Sequence, residues 1–461
     1  MLNKIKTLKD QLLQKGSFAQ NFAMLFSSNL ISQLIGLMML PIISRLYPPE
    51  IYGVFSIFIV LVTTIGVFAS FKYEAALVLP TTDKEFKALL HLTLFLLVIV
   101  TFLSIIIFGF FGASIFSYFK RPQLYSYWYL LPISVFLLGM RNIIGGWNVR
   151  DKEYKKSSII GIIRNISGRV LNILYALVFT ASFLGLIWGD LLTSLLILVL
   201  NFVMIITPKI KPYLKRSTWG EMRAVARKYR SYPFVIFPGS LLEMVSSQLP
   251  IYFFAAQTQD AFVGLYVFGE RLLSIPLTMI NNAIAPVFLQ KIVEVKQDRE
   301  EEMWAITRKL LIYLLGVIII PFSFLIVFGD ILFKYVFGSA WETSGIITGY
   351  LGLYYILQMM WVPTCSVFNA LRKEKVLFSF SMLIFITRVS ILSIGVVFLD
   401  SLSTIFYYSI GNATIYFLGI LFIAKTLKGN VLKMALLILA IMGSSIFVLK
   451  ALRYFIEWFF L

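Results

Sequence analysis

The sequence is short of charge. Only 14% of its 461 residues are Asp, Glu, Lys or Arg, against about 25% in a soluble domain, so a water-exposed globular surface cannot be assembled from it. There is one cysteine, Cys365, which excludes an internal disulfide framework and a cysteine-built metal site. There is one histidine, His91, at the start of an apolar run, where a structural or interfacial role outweighs catalysis. The G-x-x-x-x-G-K-[ST] phosphate loop is missing, so the chain does not itself hydrolyse ATP. No metal-ligand cluster or nucleophile triad stands out, and we expect no enzyme, no cofactor and no bound metal. A cleavable signal peptide is also missing, because the run from Phe22 is too long and no A-x-A site follows it.

What is present is apolar. Hydrophobic residues make up 59% and the mean hydropathy is +0.87. Runs of about twenty residues recur from end to end, each long enough to cross a bilayer core as a helix. They lack the alternating polarity of barrel strands. The expectation is an all-α polytopic membrane protein.

Apolar runs and breaks place spans near 18–43, 51–71, 88–110, 127–147, 157–180 and 183–206, then 232–256, 262–288, 310–328, 345–370, 376–399 and 403–424. A further run, 434–449, stands outside this twelve-span pattern and leaves the C-terminal topology open, with the tail 450–461 expected at the interface. Residues 1–17 place Leu2, Ile5, Leu8, Leu12 and Leu13 opposite four lysines, as a surface-lying amphipathic helix does. The basic segment 208–231 carries eight Lys and Arg with a stripe of Trp219, Met222, Ala226 and Tyr229, and is expected to ride the membrane surface.

With the N-terminus in the cytoplasm, thirty of the 41 Lys and Arg fall in cytoplasmic segments and six on the opposite face. That is the bias of the positive-inside rule. The net charge of +19 is therefore a signature of membrane-flanking loops, and no nucleic-acid partner is expected.

The chain also repeats itself. Asn148, Lys152 and Glu153 stand at the spacing of Asn369, Lys373 and Glu374, and Gly53 in E-I-Y-G-V-F matches Gly264 in A-F-V-G-L-Y. In each copy an Arg-Val pair, Arg169-Val170 or Arg388-Val389, sits inside the following apolar run. A duplicated six-helix unit explains both matches, giving two pseudo-symmetric lobes related by an axis along the membrane normal. The expected division is 1–17 interfacial helix, 18–207 first lobe, 208–231 linker, 232–425 second lobe and 426–461 C-terminal hydrophobic segment.

Charges inside spans carry the functional signal, since each costs about 2.5–3.5 kcal/mol at a helix centre. Those found are Arg141, Arg164, Arg169, Glu243, Glu270, Arg271 and Arg388. Arginine outnumbers carboxylate and grips phosphate through two parallel hydrogen bonds. The candidate substrate-binding residues are Arg169, Arg388, Arg271, Arg164 and Glu243, for an anionic substrate such as a phosphate or an acidic sugar. Each also has a plainer reading in helix packing or headgroup anchoring. In-span prolines such as Pro41, Pro250, Pro276 and Pro321 allow bends.

The P-I-I-S-R-L-Y-P-P-E-I-Y-G-V-F-S motif, the N-x-x-x-K-E turn and the six-plus-six layout resemble the polysaccharide-transporter family, the O-antigen and capsule repeat-unit flippases of the multidrug/oligosaccharidyl-lipid/polysaccharide exporter superfamily. The resemblance covers roughly residues 18–425. It implies a flippase for an undecaprenyl-diphosphate-linked oligosaccharide in a bacterial inner membrane, working by alternating access. It further implies a lipid-linked anionic substrate, a coupling ion (H+ or Na+), and polymerase and chain-length proteins as partners. A drug/cation antiporter or a lipid II-type precursor flippase of the same superfamily stays open, as does a polymerase or glycosyltransferase, which would need a larger loop than any here.

Overall fold

Lipid offers a backbone no hydrogen bonds, so each apolar run must satisfy its N–H and C=O groups within itself and becomes helical. The computed structural model describes residues 18–257, 260–295 and 299–460, and it contains no strand among them. The expected segment 1–17 lies outside the described residues. Helices α1 (Phe18–Leu46), α2 (Pro49–Phe68), α3 (Asp83–Tyr118), α4 (Leu130–Arg150), α5 (Tyr154–Val178) and α6 (Phe183–Asn201) come first. A short α7 (Trp219–Lys228) follows, then α8 (Phe237–Gln257), α9 (Asp260–Glu294), α10 (Glu300–Phe337), α11 (Glu342–Thr364), α12 (Glu374–Phe398), α13 (Ser401–Thr426) and α14 (Val431–Phe460). Among the described residues, twelve helical stretches, the last of them Val431–Phe459, are long and apolar enough to cross a membrane.

The chain forms two compact units. One holds the described residues up to Tyr47 together with Val54–Val245; the other holds Pro48–Gly53 and the described residues from Ser246 on. In the first, α1 packs on α5, α5 on α6, and α3 on both α4 and α7. In the second, α11 is central and touches α9, α10 and α13, with 78% of its apolar window buried.

Close approach of α10 and α11 depends on small residues. A Cβ on Gly345 would lie 2.1 Å from the Gly329 carbonyl oxygen, and one on Gly349 would lie 3.1 Å from that of Ile326. Gly345 and Gly349 are four apart on one face, the spacing that lets membrane helices touch backbone to backbone. Ser344 adds a hydroxyl bond of 2.7 Å to the Leu265 carbonyl of α9.

The C-terminal tail, as far as Phe460, is not a separate helix. It continues α14 without a break, and Arg453 grips Asp330 of α10 with both Nη atoms, at 3.0 and 2.8 Å. The connector also differs from expectation. Met222, Val225 and Tyr229 are buried in the first unit, and only Trp219 of the expected stripe stands fully exposed. The reason is the apolar surface around Tyr73, Phe86 and Trp147, which offers the stripe a protein partner in place of lipid.

Polar contacts finish that docking. Lys209 bridges Asp151 at 3.0 Å and Glu153 at 2.7 Å, Tyr229 donates to Glu85 at 2.9 Å, and α7 opens with a Thr218–Glu221 capping box. His91 is part of it. Its Nε2 donates to the Tyr213 carbonyl at 3.0 Å, and its Nδ1 accepts from the Ser217 N–H at 3.0 Å.

The duplicated turn is real, but its register is not the one its letters suggest. The first copy closes with Glu153 N–H on the Asn148 carbonyl and a left-handed Lys152; the second closes with Lys373 N–H on the Phe368 carbonyl and a left-handed Arg372. Asn148 therefore corresponds to Phe368, one residue before Asn369. Arg169 is the sixteenth residue of α5 and Arg388 the fifteenth of α12. One residue rotates a side chain by about 100° around a helix, so the two arginines are near-equivalents and not strict symmetry mates.

Two expectations follow. Gly345→Val should destabilise the protein by about 1–3 kcal/mol through overpacking, read as a lower melting temperature in detergent, whereas a valine at Gly316, with open space around it, should not. The hydrogen bond from Lys209 holds the Glu153 carboxyl below its ordinary value. A carboxylate depressed in this way contributes stability above its unfolded pKa and loses it as pH falls through the folded one. Proteolysis of the connector should therefore stay constant from neutrality to about pH 5 and rise in stronger acid. Glu153→Gln should reproduce the acid behaviour at neutral pH, by about 0.5–1 kcal/mol for a partly exposed pair.

Candidate functional site

The apolar helices place their charges in each unit separately. In the first unit, Arg169 on α5 donates from Nε to the Gly36 carbonyl of α1 at 2.9 Å and from Nη1 to the Asn165 carbonyl at 2.9 Å. Gly36 is needed here, since a Cβ would meet the guanidinium at 2.5 Å. Asn165 in turn donates to Ser32 of α1, so three polar side chains pin α5 to α1. Arg169 remains half-buried, and Arg164, five residues earlier, is exposed. Arg141 of α4 lies within electrostatic reach of both Arg164 and Asp190 of α6. The first unit thus gathers Arg141, Arg164 and Asp190.

In the second unit the corresponding cation is buried. Arg388 is 6% exposed. Its Nε donates to Asn412 Oδ1 of α13 at 2.7 Å, and its Nη1 donates to the carbonyl and hydroxyl of Ser246 on α8 at 3.1 and 3.3 Å. The guanidinium also sits 5.8 Å from the centre of the Tyr408 ring, where the ring face attracts a cation. Glu270 of α9 accepts a 2.8 Å hydrogen bond from Tyr355 and feels the charges of Arg271 and Arg388. Tyr266, Tyr354, Tyr355, Tyr408 and Tyr416 form the buried wall of this cluster.

The remaining candidates face outward. Glu243, three residues before Ser246 on α8, is exposed, as is Arg271, which follows Glu270. Among the described residues the side chains of Arg164, Arg271 and Glu243 make no hydrogen bond or ion pair, although Ser167 and Ser274 donate to the Arg164 and Arg271 backbone carbonyls. No three of His, Cys, Asp and Glu converge on a common point among the described residues.

Sequence reasoning passed over three parts of this arrangement. Asp190 was visible as an acid within G-L-I-W-G-D-L-L, and a full count of in-span carboxylates finds it. The tyrosine wall carries no periodic signal that separates it from ordinary core. Asn412 and Ser246, which complete the Arg388 shell, look like unremarkable polar residues until the helices are packed.

Asn412→Ala removes the acceptor of a buried charged donor and should lower stability by about 1.5–3 kcal/mol, measured as thermal denaturation in detergent. Asn412→Asp, which keeps an acceptor, should be much milder. Asn165→Ala should cost less than Asn412→Ala because Arg169 remains in contact with solvent.

No curated protein sequence matches the chain. Solved structures do match it in fold. The lipid II flippase MurJ, in a structure described as inward closed, superposes with a TM-score of 0.73 at 14% identity, over 93% of this chain and 92% of that one. A multidrug resistance MATE family transporter of the MOP superfamily, inward-facing, gives 0.65 at 13% identity over 91% and 97%. A MOP superfamily transporter from Pyrococcus furiosus, described by a reversed polarity of its binding pocket, gives 0.56 at 12% over 88% and 95%. The family described as "Polysaccharide biosynthesis protein" matches residues 42–345, so the chain belongs to that family, and its fold is the one seen in the solved MurJ and MATE structures.

Proposed function

We propose that the protein flips an undecaprenyl-diphosphate-linked oligosaccharide, an O-antigen or capsule repeat unit, across a bacterial inner membrane. The observation that carries this reading is the pair of exposed arginines, Arg164 and Arg271, inside membrane-length helices, whose guanidinium groups make no hydrogen bond or ion pair among the described residues. A cation kept exposed on a membrane helix costs several kcal/mol unless an anion or water meets it. Diphosphate is the anion that guanidinium geometry suits best. Arg169 and Arg388 complete the set in the two units, and Glu243 adds one exposed carboxylate. Alternating access presents these groups first to one leaflet and then to the other, driven by H+ or Na+ or by the membrane potential. The charge bias of the loops supports a cytoplasmic N-terminus; on this reading the flipped unit passes to polymerase and chain-length proteins.

The test is complementation of a deletion strain together with flipping of a fluorescent diphosphate-linked oligosaccharide in proteoliposomes. Arg164→Gln and Arg271→Gln should each reduce flipping about ten- to hundredfold, as expected for one lost charged hydrogen-bond pair, at unchanged membrane level. Arg169→Ala and Arg388→Ala should abolish surface polysaccharide, with Arg388→Ala also lowering protein level because its site is buried. Normal polysaccharide in all four overturns the assignment. Loss of drug resistance in Glu243→Gln with polysaccharide intact would replace it with a drug antiporter. Flipping of lipid II in preference to the oligosaccharide would replace it with a peptidoglycan precursor flippase.

A further inference from the structure

The connector between the two six-helix sets has spent its apolar side on the protein, and what it leaves outward is one line of cations. On α7, Met222, Val225 and Tyr229 face inward and are 8%, 6% and 7% exposed. Glu221 is turned back onto the Thr218 N–H at 2.9 Å and Lys84 at 3.3 Å, and Lys228 is taken by Glu85. Trp219, Arg223, Arg227 and Arg230 remain, spaced four, four and three residues apart, and all four are exposed. That spacing puts Trp219, Arg223 and Arg227 on a single face of α7, and Arg230 follows in the turn just past its end. Among the described residues no acid pairs with any of the three arginines.

The height of this line relative to the bilayer follows from α3. Trp219 packs edge-on against Phe95 at 5.6 Å. From Phe95 onward α3 exposes Val98, Phe102, Ile105 and Ile106 at helical spacing, the pattern of a face turned to lipid tails. Trp219 therefore stands where the apolar face begins, the position tryptophan takes at a membrane–water boundary. Beyond the arginines, Phe234 and Val235 are again exposed, at 77% and 69%. The cations lie between two apolar margins.

We propose that Arg223, Arg227 and Arg230 form a docking surface for the anionic headgroups of the adjacent leaflet, the occupant being a lipid phosphate layer and not a soluble anion. Charge complementarity selects the occupant: the face holds three unneutralised cations and no acid. Its margins are apolar, which suits the acyl region below a headgroup and not a hydrated anion. The surface is built on the first unit alone and does not involve the candidate substrate arginines.

The experiment is retention of lipid by the full-length protein in detergent, counted by native mass spectrometry during titration with phosphatidylglycerol or phosphatidylcholine. The wild type should retain phosphatidylglycerol in preference. Each charge near an anionic surface accounts for about a fivefold change in affinity, so R223Q/R227Q/R230Q should bind phosphatidylglycerol about a hundredfold more weakly. R223K/R227K/R230K should bind as the wild type does. The same charge removed elsewhere, in R372Q/K373Q/K375Q, should change little. If the triple variant does not accumulate, R227Q alone should show the fivefold loss. Wild-type affinity in the glutamine variants, an equal loss in the control triple, or displacement of the lipid by inorganic phosphate would each overturn the proposal.

Discussion

A guanidinium inside a membrane protein must find acceptors, and the packing of both units answers to that need. The backbone of a helix has no carbonyl to spare in its interior, yet Arg169 donates to the Gly36 carbonyl and Arg388 to that of Ser246, each on the first long helix of its own set. Each carbonyl becomes a shared acceptor, serving its own helix and a neighbour. That sharing requires close approach, which is why a glycine lies under Arg169 and a serine beside Arg388. The fifth helix of each set is held to the first by its most polar residue, and the apolar surface around it supplies fit but little direction.

The two arginines reach the same end by different routes, and the difference bears on function. Arg388 is sealed among Asn412, Ser246 and the ring of Tyr408 and has most of its donors engaged by protein. Arg169 has a backbone pair and keeps part of its surface open. A ligand approaching the first would have to displace protein partners, while the second can add a partner to those it has. Exposed Arg164 and Arg271 have nothing to displace.

Much of this was legible in the letters. The helices follow from run length and the cost of bare backbone in lipid, and their ends at Tyr154, Phe183 and Glu374 lie within a few residues of the expected breaks. The in-span arginines stood out because charge is rare there. The one-residue slip between Arg169 and Arg388 was hidden, because matched letters record ancestry while the register is set by where each helix stops. The inward turn of Met222 and Tyr229 was hidden too: an amphipathic stripe says that an apolar surface will be covered, and says nothing about whether lipid or protein covers it. Asp190 was readable and passed over; the tyrosine wall was not readable, since its chemistry arises from neighbours far apart in the chain.

The left-handed residues that close four helices have a consequence for how these loops can change. Lys120, Lys152, Arg372 and Lys428 occupy a backbone conformation with φ between 55° and 57°, where glycine rests without strain and an L side chain costs about 1–2 kcal/mol. Each is nonetheless a cation. Replacing one by glycine relaxes the turn and at the same stroke erases a positive charge from a membrane-flanking loop. At Lys152, Arg372 and Lys428, whose loops are the ones expected in the cytoplasm, conformational comfort and the electrostatic record of sidedness are written in the same residue, so improvement in one is erosion of the other; at Lys120, on the opposite face, the two do not conflict.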